Sequence, residues 1–129
     1  LQVFQLSQKT SDDPELWAAA LLHDVGKTVA TTEHARLGSE MLQGLLSPKI
    51  CWLVAHHLHL LTILKRTRKR LRGTTALNEL EQLRRWDIGG RKRDCSVPSP
   101  EAAIFSILEH IQVITSPQSD DIYLSHLSA

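Results

Sequence analysis

The sequence has little of what would staple, anchor or flatten a chain. Only two of its 129 residues are cysteine. They are Cys51 and Cys95, in unrelated surroundings and without CxxC spacing, so neither a disulfide framework nor a zinc knuckle is expected. Two reduced thiols in an intracellular protein are the expectation. No apolar run reaches the ~18 residues that span a bilayer, because Lys65 and Arg66 cut off the longest one. Nothing at the start resembles a signal peptide. The chain therefore reads as soluble and cytoplasmic, with no membrane partner. β-branched alternation is scarce, Asn-Gly hairpin turns are missing, and no internal repeat is found.

What is present is a good core and frequent helix punctuation. At 129 residues and 42% apolar composition, one domain over residues 1–129 can bury a core without staples. Asp13-Pro14-Glu15 combines an N-cap, a proline at the first helical position and an acid in the first turn. It opens a helix that Gly26 can close. Thr31 or Thr32 can cap a second helix through Met41 to about Leu46. Ser47-Pro48 opens a third, from Ile50 to about Leu64, and Thr74 or Thr75 can cap a helix through Leu77, Leu80, Leu83 and Trp86 that Gly89-Gly90 ends. Ser99-Pro100-Glu101 opens a last one over about 101–114. Leu1, Val3, Phe4 and Leu6 have the apolar spacing of a helix already under way. The expected fold is all-α, a compact bundle of about five to six helices, with 117–129 as a flexible tail.

Charge is uneven. Residues 1–64 carry four basic and six acidic side chains, residues 65–93 eleven and three, and residues 94–129 none and five. The core of the basic island, KRTRKRLR at 65–72, could meet the phosphates of a substrate or a nucleic acid. A solvated helix end or loop is the preferred reading, because lysine and arginine complement a C-terminal dipole and no aromatics interleave them.

Chemistry enters as polar intrusions on apolar faces. His23 shares a helical stripe with Leu16 and Ala20 and so faces inward. Asp24 follows it on the final turn, and an isolated buried carboxylate would cost several kcal/mol unless a cation compensated it. His34 stands in the first turn of the next helix, on the side of Leu37 and Met41. In Val54-Ala55-His56-His57-Leu58-His59, His56 lies on a stripe with Leu53, Trp52 and Leu60, with a second imidazole beside it. Asp87 is four residues from Leu83 and seven from Leu80, which puts another carboxylate on an apolar face. Inward imidazoles and carboxylates at four separate positions point to a shared metal centre. Nitrogen and oxygen donors without thiolate suit one or two divalent ions of Mn, Fe, Mg, Zn, Co or Ni in a catalytic role.

The ordered set of LLHDVGK, EHARLGSEML, LVAHH and LRRWD resembles the HD-domain superfamily of metal-dependent phosphohydrolases, over roughly residues 1–90. The resemblance implies an all-α fold and hydrolysis of a phosphate ester, of a nucleotide or another small phosphorylated metabolite. It implies His23, Asp24 and Asp87 as ligands of a first metal. His34 and His56, or His57, match the additional ligands of dinuclear members, where Asp24 would bridge. It also implies an upstream histidine, so the expectation is an HD-like domain lacking the start of its N-terminal helix. Lys27 resembles the lysine of the HDxGK variant, and with Asp24 it is the candidate for catalysis. Lys27, Arg84 and Arg85, with Arg91 and Lys92 nearby, are the candidates to hold substrate phosphate. Two other readings remain. LRRWD followed by a glycine-containing basic turn is similar to HD-type di-iron oxygenases acting on phosphonates, relatives of myo-inositol oxygenase. The other is a degenerate, non-catalytic HD module.

Overall fold

Four helices begin with the cap that their sequence promises. In the computed structural model, which describes residues 1–28, 32–91 and 96–124, the Asp13 carboxylate accepts from the Glu15 N–H at 2.9 Å. Ser47 does the same for Ile50 at 3.3 Å, Thr74 for Leu77 at 3.2 Å and Ser99 for Ala102 at 3.1 Å. Each such bond satisfies an orphan donor of a first turn and contributes about 1 kcal/mol.

The described residues form ten α-helical segments: α1 (Gln2–Thr10), α2 (Pro14–Leu22), α3 (His34–Leu42), α4 (Pro48–His56), α5 (His59–Thr62), α6 (Leu64–Leu71), α7 (Thr75–Gly89), α8 (Pro100–Leu108), α9 (Ile111–Ile114) and α10 (Asp121–Leu124). A 3₁₀ turn, Val25–Thr28, follows α2. No strand occurs among the described residues, only an isolated bridge between Gln43 and Leu46. The all-α expectation stands, but five to six helices is too few. The expected 50–64 helix is interrupted at His57-Leu58 and at Ile63, and the 101–114 helix at Glu109-His110. The second helix stops at Leu42 rather than Leu46.

α2 is apolar nearly all round and lies at the centre, against α1, α4, α7, α8 and α9. One side of it, Leu16, Ala19 and Ala20, joins a core with Trp52, Leu53, Leu80, Leu83 and Trp86. Ala18 on the other side joins Phe4, Ile50, Val54, Ala103 and Ile107. A helix that is hydrophobic on every face can only be stable when surrounded. α3 and α4 pack against each other, and the Ser39 hydroxyl donates across the contact to the Cys51 carbonyl at 2.8 Å. α7 is held to α1 by the Trp86 indole N–H, which donates to Thr10 Oγ1 at 2.7 Å.

Residues 121–124, within the segment expected as a tail, form α10. Its Tyr123 is buried against Trp52, and its hydroxyl donates to Glu79. Residues 125–129, Lys92, Cys95 and the candidate cap Thr31 lie outside the described residues. Thr32 does not cap α3; the residue before that helix is Glu33, in the left-handed region at φ 59°. Gly26 does not close α2, which ends at Leu22. It sits inside the 3₁₀ turn, where that turn crosses α3. No helix among the described residues is long and apolar enough to cross a membrane.

Candidate metal centre

Two helices end the same way, and their ends meet. His23 occupies the C-cap of α2 and His57 the C-cap of α4. Each imidazole turns back on its own last turn: His23 Nδ1 bonds the Ala20 carbonyl at 2.7 Å, and His57 Nδ1 bonds the Val54 carbonyl at 2.6 Å. A carbonyl only accepts, so Nδ1 carries the proton and donates. The ring thereby takes the acceptor that the next backbone N–H of a continuing helix would use, which is a local reason for the helix to stop there. It also leaves Nε2 of both rings directed away from the backbone, in the orientation that suits a metal ligand.

The two Nε2 atoms face opposite oxygens of one carboxylate. His23 Nε2 is 3.2 Å from Asp24 Oδ2 and 3.4 Å from Asp87 Oδ1. It is buried and has no hydrogen-bond partner, because neither oxygen is aligned with it. His34 Nε2 is 3.1 Å and His57 Nε2 3.6 Å from Asp24 Oδ1, and the two Nε2 atoms are 3.3 Å apart. One donor atom from each of Asp24, His34 and His57 lies within 4.8 Å of the others. Separations of this size suit donors that share an ion at about 2.1 Å. The nitrogen and oxygen set, the tethered imidazoles and the unaligned His23 Nε2 therefore fit a divalent cation.

The electrostatics agree. Burial alone would depress the His23 pKa, but the Asp24 and Asp87 carboxylates outweigh it and bring it up to about 9. His23 first, and then His57, hold Asp24 well below the ordinary carboxylate range. Asp87 is lowered as well, chiefly by His23. Positive charge at the centre of this group is favourable whether it comes from protons or from a metal. The three imidazoles are buried, whereas the Asp24 side chain is 42% and the Lys27 side chain 50% exposed. The group is open to solvent on that side.

His23, Asp24, His34, His57 and Asp87 are thus brought together, with Lys27 Nζ 3.5 Å from Asp24 Oδ2. His56 is not. Its Nδ1 bonds the Trp52 carbonyl at 2.8 Å and its ring stacks on Trp52 at 4.3 Å, so of the adjacent imidazoles it is His57 that joins the group. About 100° of helical rotation separates the two side chains. The inward face of α3 runs His34, Gly38 and Leu42, with Met41 42% exposed. Arg84 Nη1 and Arg91 Nη2 each lie 3.8 Å from Asp87 Oδ2, while Arg85 is exposed. The orienting carbonyls of Ala20 and Val54 escaped the sequence reading. Their signal was a histidine just past each helix, three residues beyond the carbonyl.

An all-helical fold with imidazoles and carboxylates converging at helix ends defines an α-helical protein with a candidate divalent-metal centre. The HD domain family model matches residues 1–112, and the chain belongs to the HD-domain family. Comparison with curated proteins returns no match. The family is of the metal-dependent phosphohydrolase type, and its domains bind divalent metals.

Proposed function

We propose that this protein is a metal-dependent phosphohydrolase, cleaving the phosphate ester of a nucleotide or another small phosphorylated metabolite with water as the attacking group. The observation that carries this reading is the double use of Asp24, whose Oδ2 faces His23 and Lys27 while Oδ1 faces His34 and His57. In this reading His23, Asp24 and Asp87 would hold one divalent ion, and His34 and His57 together with Asp24 would hold a second. Such an ion, when bound, lowers the pKa of its water toward neutrality and supplies hydroxide for attack at phosphorus.

The remaining work falls to the protein. The carbonyls of Ala20 and Val54 hold the rings of His23 and His57 in one orientation, so the donors need no rearrangement. The buried histidines close the inner side of the centre to solvent, which leaves the Asp24 and Lys27 side for an ester to enter. Lys27 neutralises an oxygen of the phosphoryl group there, and Arg84, whose Nη1 is 3.8 Å from Asp87 Oδ2, does the same from α7. His56 has a packing role.

Metal content and phosphate release test this directly. The Mn(II)-loaded protein should release phosphate from a panel of phosphomonoesters and nucleotides, and Asp24→Asn should lose both metal and turnover. Oxygen consumption by an iron-loaded sample without phosphate release would replace this reading with an oxygenase. Absence of bound metal would make the chain a non-catalytic module.

A further inference from the structure

α6 carries more positive charge than its fold needs. Lys65, Arg66, Arg68, Lys69 and Arg70 are exposed, as is Arg72 just beyond, while Thr67 and Leu71 are buried. Lys65 with Arg68 and Lys69, and Arg66 with Lys69 and Arg70, are like-charge neighbours on the helix surface and repel one another. The helix dipole accounts for the cations of the last turn. It works against Lys65 and Arg66 in the first. Among the described residues, the acid within ion-pair distance of α6 is Glu81, whose Oε1 is 3.8 Å from Arg68 Nε.

Arg68 lines a cleft of about 260 Å³ with Leu60, Leu64, Glu81, Arg84 and Arg85. Three guanidinium groups stand there against one carboxylate. Arg84 belongs to two places at once, since it lines the cleft and its Nη1 is 3.8 Å from Asp87 Oδ2 in the candidate metal centre. One side chain therefore joins the basic island to the carboxylate group.

We propose that this cleft is a second phosphate subsite, so that the substrate is a chain of phosphates with one at the metal centre and the next on Arg68, Arg84 and Arg85. The proposal rests on the phosphohydrolase reading for its metal-centre end. Guanidinium groups grip phosphate through two parallel hydrogen bonds, and three of them exceed what one monoester at the metal could use. A phosphoanhydride or phosphodiester chain would neutralise both places together. A nucleoside polyphosphate or a nucleic-acid strand supplies that chemistry. A strand would go on to meet Lys65 and Lys69 through its backbone, without sequence preference, because no aromatic side chain interrupts α6.

Calorimetric titration of the full chain with orthophosphate, pyrophosphate and a short oligothymidylate tests it. Pyrophosphate should bind at least about tenfold more tightly than orthophosphate, as expected for added charged hydrogen bonds. Arg68→Ala and, separately, Arg85→Ala should abolish that margin, with circular dichroism of each variant like that of the wild type. If oligothymidylate binds more tightly than pyrophosphate and loses this in the Lys65→Ala/Lys69→Ala variant, the chain is a nucleic acid; otherwise it is a nucleoside polyphosphate. A pyrophosphate affinity equal to that of orthophosphate, or a margin that survives both arginine variants, overturns the proposal. Asp24→Asn keeps the two readings apart. Orthophosphate binding unchanged in that variant would sink the phosphohydrolase reading, while an arginine-dependent margin would still stand.

Discussion

Gly26 lies against His34 so closely that a Cβ on Gly26 would stand 1.9 Å from the His34 carbonyl oxygen, and 2.7 Å from the Gly38 nitrogen. The 3₁₀ turn after His23-Asp24 can press against the first turn of α3 because that residue has no side chain. This contact sets how far His34 stands from Asp24. Gly26→Ala should push α3 away, with destabilisation of about 1–3 kcal/mol from overpacking and weaker metal binding. Urea denaturation and metal titration of the variant check both effects, and wild-type values in each would show that the contact does not position His34.

The neighbours His56 and His57 should separate cleanly on substitution. His57→Ala removes an imidazole facing Asp24 at 3.6 Å, and it should weaken metal binding by at least about a hundredfold, since even groups behind a ligand matter by 10–100-fold. His56→Ala removes a ring that is 1% exposed and stacked on Trp52. It should lower stability by about 2 kcal/mol or more through the cavity it leaves, with metal stoichiometry retained. Elemental analysis alongside thermal melts reads both, and loss of metal in His56→Ala would reverse the assignment.

Glu15 should make stability depend on pH in an unusual direction. Burial raises its pKa above the ordinary glutamate range, outweighing the Ser47 hydroxyl and Lys49, which pull it down. The folded state therefore holds this proton more tightly than the unfolded chain does. Its contribution is fully present below the unfolded pKa and is lost as pH rises through the raised folded value. Glu15→Gln lacks that titration, so its stability relative to wild type should increase between pH 4 and pH 7. Parallel urea titrations at the two pH values measure the difference, and a constant offset would mean that Glu15 titrates normally in the fold.

Much of this protein was decided within short stretches of chain. Asp13-Pro14, Ser47-Pro48, Thr74 and Ser99-Pro100 start their helices because a cap needs only a side-chain oxygen within three residues of an open N–H. The convergence of His23, Asp24, His34 and Asp87 was legible because helical phase put each beside apolar neighbours, and the resemblance ordered them. Other features depended on groups far apart in sequence. Helical periodicity favours His56, which follows the apolar stripe, yet His57 faces Asp24 because α4 ends at His56 and the C-cap imidazole of His57, bonded back to the Val54 carbonyl, turns its Nε2 toward Asp24. Gly26 reads locally as a helix stop, and its actual function is set by the backbone of α3 eight residues on. Arg68 and Arg84 share a cleft only because α6 and α7 lie side by side. Local hydrogen bonding and phase are written in neighbouring residues, whereas the distance between two side chains on different helices exists only once those helices have packed.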